Sequence, residues 1–350
     1  MKKHWMMLIA LIAAIISFVI VSPAMAAKYT IKIGLVANTA DEDYDGSLVF
    51  KDFVESQSNG QIAVEIYPGA QLCGNMRECV ESLQAGIIEV TITTVGGVAN
   101  IYPELQVMDI PYMFRDDRTA ECVHDGPYVK EMRRDILKKV KNIRLMAISN
   151  AGGWRNFATV NKLIRTPADV KGQKIRTIKA DIQIEMVKLL GGNPTPVAWP
   201  EVYTSLATGV VEGTKNGITD IVGMKFQEHL RYITLDGHAY VAGLWWMSDN
   251  AFKSYPNDLK KVVLDGFVHL TQVTRAFPKR RQIEAYETFR KANGTVYVPS
   301  ASEKRMFQKA VKPLKGWFTD KFGKKPLVRL ETRVAECERS IDSSYASEMQ

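Results

Sequence analysis

Residues 166–192 read TPADVKGQKIRTIKADIQIEMVKLLGG. Thr166 is placed to cap a short helix, with Pro167 at its first position and Asp169 in its first turn. Gly172 ends that helix, and the segment QKIRTI follows as a strand. Apolar residues then recur at helical spacing from Ala180 to Leu190, until Gly191 and Gly192 stop them. A strand that runs straight into a helix is the repeating unit of α/β sheets. Arg176 stands near the carboxyl end of that strand, which is where open α/β sheets gather ligands.

Outward from this unit the same grammar recurs. Towards the N-terminus, YTIKIGLV reads as a strand, Ser47 to Ser58 as a helix, and QIAVEIYP as a second strand beyond the Asn59-Gly60 turn. A helix from Met76 to Ala85 closes at Gly86, and IIEVTITT follows as a strand. Towards the C-terminus, a helix opens at Pro200-Glu201, GVVEGTKN is a strand, Asp220 to Arg231 is helical, and HAYVAGLWWMS is a long apolar strand. Alternation along that strand directs only one of Trp245 and Trp246 inward. From Asn257 to Ala292 the pattern stays helical, and Pro278 should kink this helix or divide it in two.

The expected class is α/β, with mixed sheets flanked by helices and a long kinked helix bracing two lobes. A chain of 350 residues exceeds the usual size of one core. No flexible linker separates the lobes, so the chain should cross between them through ordered elements and leave a cleft. The boundaries expected are 27–152 with about 242–281 for lobe I, and 153–241 with about 282–350 for lobe II.

The first residues, MKKHWMMLIALIAAIISFVIVSPAMAAKYT, carry a basic start, an apolar run and Ala24-Met25-Ala26. This is the pattern of a secretory signal peptide over residues 1–26, cleaved after Ala26, and it places the protein in the periplasm. The formal charge of +8 is spread among both signs without a basic block, which excludes a nucleic-acid surface. Four cysteines, Cys73, Cys79, Cys122 and Cys337, can pair in three ways. The small loop Cys73–Cys79 is the first choice and Cys122–Cys337 the second.

Catalytic signatures are missing. There is no G-x-S-x-G elbow, H-E-x-x-H pair, P-loop or G-x-G-x-x-G after a strand, and none of the five histidines forms a close metal-spaced pair. The carboxylate pairs Asp41/Asp43 and Asp116/Asp117 read as solvated turn residues. The expectation is therefore a binding protein, not an enzyme, without cofactor or metal. Arg155 and Arg176, if aimed inward, imply an anionic guest, because a guanidinium fork matches a carboxylate or sulfonate.

The segments 166–177, LGGNPTPVAWPEVYTSLATGVVEGTKN (190–216) and KFQEHLRYITLDGHAYV (225–241) resemble the extracytoplasmic solute-binding proteins of TRAP transporters, of the subfamily named for the C4-dicarboxylate binder. Residues 67–94 and 103–114 add support, and the likeness spans essentially the whole exported chain. The resemblance implies a two-lobed clamp that closes on a small organic anion and delivers it to small and large membrane permease subunits driven by an ion gradient. It implies a monomer, and a sensor that reports occupancy to a membrane receptor is the alternative use of the same clamp. Residue by residue, it implies that Arg176 pairs with the ligand carboxylate, with Arg155 and Asn216 beside it and Trp199 covering the ligand. His238, Thr93 and Thr94 match pocket positions, and Asn38 lies in the first strand-to-helix loop.

Two departures bear on the ligand. Lys215 replaces a common acid of the family pattern, and Lys179 follows Arg176 by three residues. If both face the cleft, a more negative ligand or a sulfonate is expected; a solvated lysine carries no such meaning.

Overall fold

The computed structural model describes residues 27–349, and the expected signal peptide at 1–26 lies outside them. The chain opens with strand β1 (Tyr29–Gly34), helix α1 (Glu42–Gln57), strand β2 (Ile62–Tyr67), helix α2 (Met76–Ala85) and strand β3 (Val90–Thr94). Helices α3 (Asp117–Asp125) and α4 (Pro127–Lys139) lead into the 16-residue strand β4 (Arg144–Thr159). Next come β5 (Lys174–Thr177), α5 (Asp181–Leu189), β6 (Asn193–Pro196), α6 (Val202–Ala207), β7 (Gly213–Asn216), α7 (Ile218–Gly223) and a second 16-residue strand, β8 (Tyr232–Met247). The chain ends with α8 (Asp249–Ser254), α9 (Asn257–Lys291), β9 (Thr295–Tyr297), α10 (Ala301–Val311), α11 (Leu314–Phe322) and α12 (Lys324–Glu348).

The strands form one sheet in the order β2-β1-β3-β8-β4-β7-β5-β6, with β9 added to β8. Its outer members are parallel: β1 with β2 and β3 on one side, β5 with β6 and β7 on the other. Between them β4 and β8 run antiparallel along almost their whole length, so two strands cross the molecule from one half to the other. Their register slips between Asn150 and Trp154. Gly152 and Gly153 occupy that slip with φ of +109° and +85°, a region that side chains with a Cβ rarely enter. Gly152 also lies so close to α7 that an added Cβ would meet the Asp220 carboxylate at 2.3 Å.

Helix α9 holds the two halves together. Phe267 and Leu270 pack with Ile31, Phe50 and Trp245, whereas Ala285 and Phe289 pack with Ala158, Ile221 and Ile233. One apolar stripe thus enters two separate cores. The helix runs unbroken for 35 residues through the buried Pro278, so of the kink or division expected there the division does not occur. A proline forfeits one backbone bond, and the packing on both sides of it keeps the rest of the ladder in place.

Both Trp245 and Trp246 are buried, although only one was expected to face inward. They do point to opposite faces, but helices cover the sheet on both. Trp245 donates its indole N–H to Ser149 Oγ at 3.0 Å and Trp246 to Thr93 Oγ1 at 2.9 Å. Burying about 200 Å² of indole contributes on the order of 5 kcal/mol before entropy is counted, once the N–H has a partner.

Several element ends follow the sequence signals. Gly86 closes α2 in the left-handed conformation, with φ of 75°. Thr166 and Asp169 form a reciprocal capping box, around a 3-10 turn (Pro167–Val170) instead of an α-helix. Two readings are corrected. Asp41 and Asp43 are not solvated turn residues: Asp41 caps α1 by accepting the Asp43 N–H at 2.9 Å, the helix starts before the expected Ser47, and Asp43 is buried. Asp116 caps α3, and Asp117 accepts the indole N–H of Trp154 at 2.7 Å. The helix expected over Asp220 to Arg231 is only α7 plus a 3-10 turn, separated by Lys225 at φ +59°.

Cys73, ahead of α2, pairs with Cys79 in its first turns, and Cys122 of α3 pairs with Cys337 of α12. The second bond fixes the C-terminal helix against the helices that precede β4. Among the described residues no helix is long and apolar enough to cross a membrane.

Candidate functional site

A cavity of about 520 Å³ opens where the carboxyl ends of β5 and β7 face the end of β3 and the start of α1. Six residues singled out in the sequence line it: Arg155, Arg176, Asn216, Trp199, Thr94 and Lys179. The β5–β6 register sets Arg176 opposite Thr195, and the chain beyond β6 folds back to bring Val197 and Trp199 beside it.

Arg176 is 5% exposed. Its Nε and Nη2 donate to the Val197 carbonyl at 3.0 and 2.8 Å, and its guanidinium carbon lies 5.6 Å from the Trp199 ring centre. Burial, reinforced by the positive charge of Arg155, pushes the Arg176 pKa down to about 9, and Asp220 partly opposes this. Arg155 is equally buried; its Nη1 donates to the Lys215 carbonyl at 3.0 Å, and its Nε has no partner among the described residues. Neither guanidinium lies within 4.0 Å of a carboxylate among the described residues. Two buried cations that lack a counter-ion are costly unless an anion joins them.

Asn216 donates to Asp220 Oδ2 at 3.0 Å and accepts from the Thr214 hydroxyl at 2.7 Å, which fixes its amide. Lys179 is exposed at the mouth. Lys215 is buried outside the lining, with Nζ 3.5 Å from the Gln183 carbonyl. Burial, then Arg155, pushes its pKa down to about 7. The condition set for a more negative ligand is therefore unmet, since only one of the two lysines faces the cleft.

Three other sequence candidates stand elsewhere. Thr93 is turned away from the cavity because its hydroxyl accepts the Trp246 indole. His238 is buried behind the wall, with Nδ1 2.8 Å from Asp236 Oδ2 and its ring against Phe157, and burial lowers its pKa. Asn38 spans the cleft edge instead, donating to the Gly223 carbonyl at 3.2 Å. Each is a polar group whose partner is another part of this chain.

The sequence reading missed the acids of the site. Asp41, Asp43 and Asp220 line the cavity together with the arginines. Burial and the charge of Asp220 push the Asp41 carboxyl up to about 7, and Glu42 and Asp43 are raised well above the usual carboxylate range, burial first. Asp220 rises to about 6 through burial, against the Asn216 hydrogen bond and the two arginines. Asp41 and Asp43 read as solvated turn residues because the sequence pattern begins the helix only at Ser47, whereas α1 starts at Glu42. Among the described residues no group of three His, Cys, Asp or Glu is placed to hold a metal ion.

The family model for bacterial extracellular solute-binding protein, family 7 (DctP), matches residues 33–320. A solute-binding protein from Verminephrobacter eiseniae is 29% identical over 310 residues, covering 88% of this chain and 90% of that one. A TRAP periplasmic solute-binding protein from Sulfurospirillum deleyianum, solved with succinate, superposes with a TM-score of 0.81 at 25% identity over 87% of this chain and 99% of its own. A Polaromonas counterpart bound to D-erythronate gives a TM-score of 0.81 at 26% identity, over 87% and 98%.

Proposed function

This chain belongs to the family 7 bacterial extracellular solute-binding proteins, and from that premise we propose that it captures a small organic carboxylate between Arg155 and Arg176 for a TRAP-type permease. One observation carries this reading: two arginines, each 5% exposed, converge on one cavity without an ion pair among the described residues. A bidentate anion would take up the N–H groups that the Val197 and Lys215 carbonyls leave free. Trp199 would cover it, and Asn216 would orient it.

The lobes are proposed to meet at the slip of β4, Ala151 to Gly153, and at the facing part of β8 near Val241. An anion held from both sides favours the closed form by its differential affinity for that form. The succinate and D-erythronate of the solved relatives are carboxylates, in keeping with this chemistry. Those relatives are named as TRAP binding proteins, which favours transport over sensing. Export through a leader at residues 1–26, action as a monomer and the absence of turnover complete the proposal.

The test is a thermal-shift series on the exported chain, unfolded and refolded to strip any carried ligand, with carboxylates and sulfonates. At one hundred times the dissociation constant a true ligand stabilises the fold by about 2.7 kcal/mol. A flat series from folded protein overturns the proposal.

A further inference from the structure

The cavity is not lined by one sign of charge. Facing the arginines are Asp41 and Asp43 from the start of α1 and Asp220 from α7, on opposite sides of the cleft. Asp43 is 6% exposed, and its Oδ1 has no hydrogen-bond partner among the described residues. The neighbouring cation does not serve this group. Arg281 is paired with Asp45 and donates to the Ala40 carbonyl. Asp220 accepts from the Asn216 amide at 3.0 Å and from the Gly217 backbone, both neutral donors. Arg77, the other arginine at the cavity, is taken by Glu81 at 2.8 Å.

Asp220 already stands close enough that its charge bears on both Asp41 and Asp43 across the cavity. A hydroxyl from the ligand supplies one donor and leaves burial and mutual repulsion favouring protonated acids; a cationic nitrogen supplies donors together with the charge that lets the acids ionise. A dianion would set its second negative charge against the same three acids. We propose that the physiological ligand is a zwitterion, with its carboxylate on Arg155 and Arg176 and a protonated amine against Asp43, Asp41 and Asp220. The proposal rests on the carboxylate reading of the arginines and narrows it.

The experiment is calorimetric titration of the refolded exported chain with sets matched in chain length. β-Alanine, γ-aminobutyrate and δ-aminovalerate are each compared with the hydroxy acid and the dicarboxylate of equal length. At one length or more the amino acid should bind at least tenfold tighter than both partners. Asp43→Asn should collapse that ratio at least tenfold, Asp220→Asn should do the same if Asp43→Asn fails to fold, and Arg176→Ala should weaken every ligand. Hydroxy acids or dicarboxylates that bind as well as the amino acids at every length overturn the zwitterion and leave the arginine clamp standing. A ratio untouched by either Asn variant also overturns it. Failure of every carboxylate in the panel to bind overturns both readings.

Discussion

Arg176 gives two of its five N–H groups, from Nε and Nη2, to the single carbonyl of Val197, at 3.0 and 2.8 Å. This pins the plane of the guanidinium from one side. The remaining N–H groups keep a fixed direction, so a carboxylate meets a rigid fork. Arg176→Ala should weaken ligand binding roughly tenfold to a hundredfold, or about 1.4 to 3 kcal/mol. Arg176→Lys should recover little of this, because an ammonium cannot grip both Val197 and the ligand. Calorimetry decides, and an unchanged dissociation constant in either variant removes Arg176 from the site.

Arg155 acts on its neighbours, since its charge lowers the pKa of both Arg176 and Lys215. Arg155→Met keeps the stem and deletes the charge. Ligand-free protein should then melt no lower than the parent, while the shift produced by ligand shrinks by about 1 kcal/mol or more. A full ligand-induced shift in the variant would show that Arg155 has only a structural part.

Gly152 combines a φ of +109° with the Asp220 carboxylate 2.3 Å from where a Cβ would stand. Gly152→Ala should cost at least about 2 kcal/mol, from backbone strain together with the displaced carboxylate. The melting temperature should fall by several degrees. A variant that melts with the parent would mean that the β4 slip tolerates an ordinary backbone.

Asp41, raised to about 7, and Asp220, raised to about 6, both lie above their ordinary value of 3.8. Protonation therefore favours the fold: their contribution is whole below about pH 4 and disappears as pH rises to about 7. Asp41→Asn is neutral throughout and can still cap α1. The stability of this variant relative to the parent should grow between roughly pH 4 and 7, by at least about 1 kcal/mol. A difference that stays constant over this window would assign the carboxyl an ordinary titration.

The fold was legible where short-range signals decide it. Gly86, the Thr166–Asp169 box and the Gly191 turn lie where their chemistry predicts, and the alternation of strand and helix follows. The cation side of the site was legible too, because Arg176 and Asn216 end strands that aim at the cleft. Asp41, Asp43 and Asp220 were not. Their meaning depends on two sequence-distant elements, α1 and α7, that approach each other across the cleft, and no local pattern records that approach. Thr93 and His238 stand in promising positions, but their polar atoms are taken by Trp246 and Asp236. A sequence gives the residue and leaves its partner to the fold.

The Cys122–Cys337 bond spans a sequence separation of 215. It makes a covalent ring that contains Arg155, Arg176, Asn216 and Trp199, whereas Asp41, Asp43 and Thr94 lie on the open strand of chain before it. Tension applied between the ends of the protein would pass through the sulfurs and bypass the ring. Under oxidising conditions a stretched molecule would therefore shed β1 to β3 with Asp41 and Asp43, while Arg155, Arg176 and Asp220 stayed slack inside the ring. Reduction would return the whole contour to the load, and the difference in released length would measure the ring directly.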